Sequence, residues 1–238
     1  KSKLRAFVPP ANPPYPDRNK TLSDKVTKAW ELLIKAERPV LVSGGGVRLA
    51  NAVKEMNALA KLTGFPIVTS WSGFDSVAYD HPQHVGAQGV YGDRAANFAV
   101  QNSDVLLTVG SRLDTRQTGG KPSTYARAAK LIMVDIDEHE LSKRRGLTPS
   151  IEIACDAKVF LEEMIKQYPK YKKLLPDTSS WLAKTQSWKK KYVNVKPEYY
   201  KQKKYVNPYV FGEILSQELT KDAIVTSDTG AQLALIMQ

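Results

Sequence analysis

The stretch Val105-Leu106-Leu107-Thr108-Val109 constrains the fold of this chain more than any other. It is apolar almost without interruption, as expected of a strand buried on both faces, and such strands belong to parallel sheets flanked by helices. The same grammar recurs: a short apolar run, a turn residue, then an amphipathic segment. Pro39–Ser43, Phe65–Thr69, Leu131–Asp135 and Ile151–Ala154 are the other predicted strands. Predicted helices run from Thr21 to about Lys35, with Val26, Ala29, Leu32 and Leu33 on one face and Thr21-Leu22-Ser23-Asp24 as caps. Others run from Leu49 to Leu62, stopped by Gly64, from about Arg94 to Asn102, and onward from Ala157. Between Thr69 and Arg94 the sequence reads as a long Gly-punctuated loop. This order predicts an α/β fold, an open parallel sheet of about five to six strands with helices on both faces, whose ligands bind at the carboxyl ends of the strands.

The composition, 42% apolar and 25% charged over 238 residues, suffices for at least one full α/β core. No run approaches the roughly 18 to 20 apolar residues of a membrane helix, so no membrane partner is expected. The start, Lys1-Ser2-Lys3-Leu4, has neither Met nor an apolar signal segment, and the natural beginning of the protein is expected upstream. A lone Cys155 excludes an internal disulfide and reads as a small buried core residue of an intracellular, cytoplasmic protein.

The net charge of +11 is concentrated in one place. From Lys166 to Lys204 twelve lysines face only Asp177 and Glu198, a local net charge of +10. Interleaved Trp181, Trp188, Tyr192, Tyr199 and Tyr200 admit a nucleic-acid or anionic-surface reading. A Lys-rich amphipathic connector with its aromatics on a neighbour is the commoner use of such a pattern and is the expectation here.

Four segments follow. Residues 1–20, with Val8-Pro9-Pro10-Ala11-Asn12-Pro13-Pro14, read as a Pro-rich interdomain linker, and residues 21–168 as a central nucleotide-binding domain. Residues 169–206 form the Lys-rich connector. Residues 207–238 start another domain: Asn207-Pro208 opens a helix to about Leu219, and Ala223–Ser227 is a strand ending in Asp228-Thr229-Gly230, where the chain is expected to be cut short.

The residues that can carry chemistry lie just after the strands. Gly44-Gly45-Gly46 either admits a phosphate or flat ring to backbone N–H groups or makes a plain tight turn. Gly110-Ser111-Arg112-Leu113-Asp114-Thr115-Arg116 offers close backbone approach at Gly110 and two forked cations suited to phosphate oxygens, or else an exposed Arg-Asp-Arg ion cluster. Asp135 is a strand-end carboxylate of the kind that accepts ribose hydroxyls. Asp137 reads as a cap with Glu140 as its capping-box partner, and Asp156 as a cap, a ligand contact or both. His81, His84 and His139 lack ligand spacing, and His81 and His84 read as solvated loop residues. No catalytic residue and no metal site is expected in this chain.

In this order and spacing the strand ends resemble the acetolactate synthase family of thiamine-diphosphate enzymes. Gly86 to Gly119, with Gly89-Val90-Tyr91-Gly92, the segment Ala95–Asp104 and Gly110–Arg116, is similar to that family's flavin-binding, Rossmann-like central domain. Asp135-Ile136-Asp137 and Cys155-Asp156-Ala157-Lys158 resemble its next two strand ends, and Tyr205-Val206-Asn207-Pro208 and Ser227–Gln232 the start of its thiamine-diphosphate domain. Three positions depart from the family pattern: Tyr91 replaces the His of its G-M-H-G loop, Thr115 its second Asp, and Ala231-Gln232 its Gln-His pair.

The resemblance implies FAD, or ADP, extended across the central domain; the alternative it leaves open is a related thiamine-diphosphate decarboxylase or hydrolase that binds no flavin. Gly45 and Gly46 would lie under it, Ser70 and Trp71 near the flavin-ribityl end, Gly110, Ser111, Arg112, Asp114 and Arg116 along its middle, and Asp135, Ile136, Asp156 and Ala157 at the adenosine. Thr229 and Gly230 would begin the thiamine-diphosphate site, which takes Mg2+ in the full-length enzyme. The implied reaction is decarboxylation of a 2-keto acid such as pyruvate and transfer of the acyl carbanion to a second keto acid, in branched-chain amino-acid biosynthesis. A homodimer or tetramer is implied for the full-length transferase, and inactivity for this chain alone.

Overall fold

The structure, a computed structural model, describes residues 21–143, 146–220, 222–228 and 230–236. Helix α1 (Leu22–Leu33) leads into β1 (Pro39–Ser43); α2 (Gly45–Leu49) and α3 (Val53–Thr63) lead to β2 (Ile67–Thr69). A 3-10 turn (Trp71–Ser76) precedes β3 (His84–Ala87), which α4 (Arg94–Asn102) connects to β4 (Val105–Val109). After α5 (Thr115–Thr118) come β5 (Lys130–Asp135), α6 (Glu138–Ser142), β6 (Ile151–Ala154) and α7 (Ala157–Tyr171). Then follow α8 (Ser179–Lys191), α9 (Pro208–Glu218) and α10 (Ala231–Ile236).

The six strands are all parallel, in the order β3-β2-β1-β4-β5-β6. The chain moves outward from β1 to one edge, then restarts beside β1 with β4, so the order reverses between these two strands. Alternate residues face opposite layers. Leu41, Leu107, Ile132 and Val134 pack with α1, α3 and α7, through Val26, Trp30, Met56, Leu59, Phe160 and Met164. Val40, Val42, Leu106 and Met133 pack on the other side with Ala95, Ala96 and Ala99 of α4 and Trp181 of α8. Each large side chain buried this way contributes about 1.5–3 kcal/mol. Asp104 fixes the start of β1, its carboxylate accepting from the Glu37 and Arg38 amides at 2.7 and 2.9 Å.

The Lys-rich segment contains α8, which lies on α4 and β3. Its aromatics are engaged: Trp181 is buried, and Trp188 packs edge-on against Trp181 and Phe98 at 5.7 and 5.8 Å.

Four local expectations are corrected. The loop between Thr69 and Arg94 contains β3, and His84 is 5% exposed rather than solvated. The strand is short, and Gly86 at φ +136° weakens its signal. The helix expected from Leu49 is two helices broken at Asn51, whose φ of 52° an α-helix cannot hold. Ala223–Ser227 forms no strand: Ile224 is 91% exposed, and a strand exists only where a neighbour pairs with it. Asp137 does cap α6 through the His139 amide, but its own N–H donates to Asp135 Oδ1 at 3.0 Å, so Glu140 turns to Lys143 and Arg112 and no capping box closes. The Pro-rich linker and Thr229 lie outside the described residues.

Candidate functional site

At the point where the strand order reverses, ladder bonding continues past the strand ends. The Gly44 amide donates to the Val109 carbonyl at 2.9 Å, Gly46 to Gly110 at 2.9 Å, and Gly110 to Val134 at 2.8 Å. The two glycine loops therefore lie backbone against backbone. A Cβ on Gly46 would come within 2.7 Å of Gly110 Cα, and one on Gly44 would collide with the Gly110 carbonyl. Gly110 also has φ +60°, favourable to glycine. Of the two readings of Gly44-Gly45-Gly46, mutual packing accounts for Gly44 and Gly46, and for Gly45 the neighbour is Ser72, whose Cβ a Gly45 Cβ would meet at 2.7 Å.

Beyond Gly110 the loop is held from within. Asp114 caps α5, its Oδ1 accepting from the Arg116 and Gln117 amides at 2.9 and 3.2 Å. Arg112 is largely exposed, with its Nε 4.0 Å from Glu140 Oε1. The Arg116 guanidinium lies 5.4 Å from the centre of the Trp71 ring, and Trp71 is tilted against Tyr91 at 5.6 Å. Ser70, Trp71, Tyr91 and Arg116 thus join the ends of β2, β3 and β4. There, among the described residues, Thr69 Oγ1 and Trp71 Nε1 are buried without a hydrogen-bond partner.

On the other side of the reversal, Asp135 is 6% exposed. Burial pushes its carboxyl above the usual carboxylate range, opposed by the Asp137 amide and by Arg112. Ile136 extends its apolar side chain 59% exposed beside it. Asp156 caps α7, accepting from the Lys158 and Val159 amides at 2.8 and 3.3 Å, and Ala157 is buried in the first turn. Gly230 is exposed, ahead of α10.

Sequence reasoning missed a buried polar chain in the same place. Tyr125 donates its hydroxyl to Gln88 Oε1 at 2.6 Å, and Gln88 Nε2 donates to Gln117 Oε1 at 3.1 Å. Ser111 Oγ donates to the same Gln117 oxygen at 2.7 Å. No spacing relates residues 88, 111, 117 and 125; the nearest signal was a polar Gln88 following Val85-Gly86-Ala87.

The family model described as thiamine pyrophosphate enzyme, central domain, matches residues 26–164. The acetolactate synthase large subunit of Corynebacterium glutamicum is 33% identical over 208 residues, covering 87% of this chain and 32% of the relative. The acetolactate synthase of Mycobacterium bovis is 38% identical over 153 residues, 64% of this chain and 24% of its own. The acetolactate synthase isozyme 2 large subunit of Escherichia coli is 36% identical over 160 residues, 66% of this chain and 29% of its own. The chain spans about a third or less of the length of these relatives. With a parallel sheet and strand ends of this kind, the chain belongs to the thiamine pyrophosphate enzyme family, of acetolactate synthase type, and carries its central domain.

Proposed function

We propose that the carboxyl edge of the sheet holds an extended nucleotide cofactor, FAD or ADP, within a thiamine-diphosphate-dependent protein acting on 2-keto acids such as pyruvate. One observation carries this reading: Ser70-Trp71 and Arg116 on one side of the β1–β4 reversal, and Arg112 and Asp135 on the other, line the same edge of the sheet, and at the end of β2 Thr69 Oγ1 and Trp71 Nε1 are buried without a partner among the described residues. Buried polar atoms are rarely left unpaired, and a polar ligand at the edge would supply the partners. The residues fit such a group. Arg112 would meet its phosphates, Asp135 a ribose hydroxyl, Ile136 the face of the adenine, and Trp71 the ribityl end. Asp114 and Asp156 act at one remove, holding the starts of α5 and α7, while Gly45, Gly46, Gly110, Ser111 and Ala157 shape the floor.

When bound, thiamine diphosphate supplies the electron sink for decarboxylation, and Mg2+ neutralises its diphosphate. Residues 207–238 are read as the start of the domain for that group, with Thr229 and Gly230 at its entry, residues 1–20 as a linker and residues 169–206 as a connector. The whole protein is read as a cytoplasmic homodimer or tetramer.

Titration of the folded chain with FAD, followed by flavin fluorescence, and with ADP, followed by calorimetry, tests the site. Saturable binding below the millimolar range is expected. Absence of saturation with both ligands, in a sample with a cooperative unfolding transition, refutes it.

A further inference from the structure

The chain Tyr125–Gln88–Gln117 has a direction. Tyr125 is buried, and the only hydrogen-bond partner of its hydroxyl among the described residues is Gln88 Oε1, so the hydroxyl must donate. Burial pushes that phenol above its ordinary range, which keeps the proton in place at any working pH. With Gln88 Oε1 so engaged, the Gln88 amide nitrogen faces Gln117 and donates to it. The Ser111 hydroxyl donates to the same oxygen, so both partners of the Gln117 carboxamide oxygen are donors. A flipped Gln117 would set its NH2 against the NH2 of Gln88, a group that can only donate, while the Ser111 hydroxyl can rotate to serve either orientation. The network therefore selects one orientation of a half-buried side chain: oxygen inward, NH2 turned away from Gln88 and Ser111.

We propose that Gln117 is a ligand-contacting residue whose carboxamide NH2, oriented by Tyr125 through Gln88, donates to a phosphate oxygen of a nucleoside diphosphate on the carboxyl edge of the sheet. The inference rests on the nucleotide reading above and adds a specific donor to it. Gln117 adjoins Arg116 in α5, and the loop that carries both also carries Arg112, so the ligand chemistry favoured beside it is anionic. The backbone brackets the residue as well: the Val90 amide donates to the Arg116 carbonyl at 2.8 Å, which ties α5 to the loop after β3. Tyr125 and Gln88 are positioning residues, buried away from the ligand.

The test titrates ADP and adenosine into the chain and into Gln117→Leu, Gln117→Glu and Tyr125→Phe. Loss of one neutral donor weakens ADP about fivefold in Gln117→Leu. An acceptor with a negative charge weakens it more than about tenfold in Gln117→Glu. Tyr125→Phe removes the donor that sets the direction and weakens ADP about twofold to fivefold, with the side-chain NH2 signals of Gln117 in an amide NMR spectrum changing position. Adenosine, which has no phosphate, binds the Gln117 variants and the unaltered chain alike. ADP binding that is saturable in the unaltered chain and unchanged within twofold in both Gln117 variants overturns the role of Gln117 and leaves the nucleotide reading standing. Equal losses for ADP and adenosine also overturn it, since a structural defect would weaken both. Failure of the unaltered chain to bind ADP removes the nucleotide reading and this inference with it.

Discussion

Trp181 donates its indole N–H to the carbonyl oxygen of Pro39 at 3.0 Å, joining residues 142 positions apart in sequence. The first residue of β1 is thereby tied to a helix from the Lys-rich segment, and the indole fills the layer between α4 and α8. Trp181→Phe should keep most of the packing but strand the buried carbonyl, at a cost of about 1–3 kcal/mol. Trp181→Ala adds a cavity and should cost about 3–5 kcal/mol. Urea denaturation measures both, and two variants as stable as the unaltered chain would show that α8 contributes nothing to the sheet.

Two glycines with similar φ should respond differently to alanine. Gly64 ends α3 at φ +73°, and nothing lies within 4 Å of where its Cβ would be. Gly64→Ala should cost about 1–2 kcal/mol, the strain of the left-handed conformation alone. At Gly110 a Cβ would lie 2.7 Å from Gly46 Cα and 2.9 Å from Val47 N, both backbone. Gly110→Ala should therefore exceed about 4 kcal/mol or fail to fold. Similar midpoints for the two variants would contradict the packing of the glycine loops.

His84 makes stability depend on pH. Burial, and then the Lys189 ammonium, bring its imidazole down to about 4, and His81 adds to the effect. Lys189 donates to the His84 and Tyr79 carbonyls at 3.0 and 2.6 Å, so the cation is held beside the ring. In the unfolded chain His84 titrates near 6.5. Between these values the unfolded state binds more protons, so stability is complete above about pH 6.5 and falls as the pH drops toward 4, by about 3 kcal/mol from this group. Asp93 and Asp135 oppose the trend: burial raises both, so the fold takes up their protons first and gains from acid. The urea midpoint should fall less steeply from pH 7.5 to 5 in His84→Leu than in the unaltered chain. Parallel profiles would exclude His84 as the source.

Asp114 separates a cap from a ligand contact. Its Oδ1 accepts two α5 amides, a task that Asn performs equally well. Asp114→Asn should leave ADP affinity within about twofold, whereas Asp114→Ala should cost about 0.5–2 kcal/mol in stability. A marked loss of affinity in Asp114→Asn, measured by calorimetry with stability unchanged, would mean that the carboxylate touches the ligand.

What could be read from the sequence follows what is local in the physics. Strands β1, β4 and β5 are apolar on both faces and announce themselves; Asp137 and Asp156 sit in front of helices and cap them. The strand-end residues were legible for the same reason, since a parallel sheet sends every strand end to one edge. Strand β3 was not legible, because His84–Ala87 becomes a strand only by pairing with β2 across a register shift. Nor was the relation between Gly46 and Gly110, which depends on β1 and β4 being neighbours. The same holds for Tyr125, Gln88 and Gln117, whose hydrogen bonds link the segment before β5, the loop after β3 and α5. By itself the sequence determined the periodicity, the α/β class and the chemistry of each strand end. The tertiary structure alone decided which strand ends meet, because the partner of a buried polar group or of a strand edge is set by sheet order rather than by position along the chain.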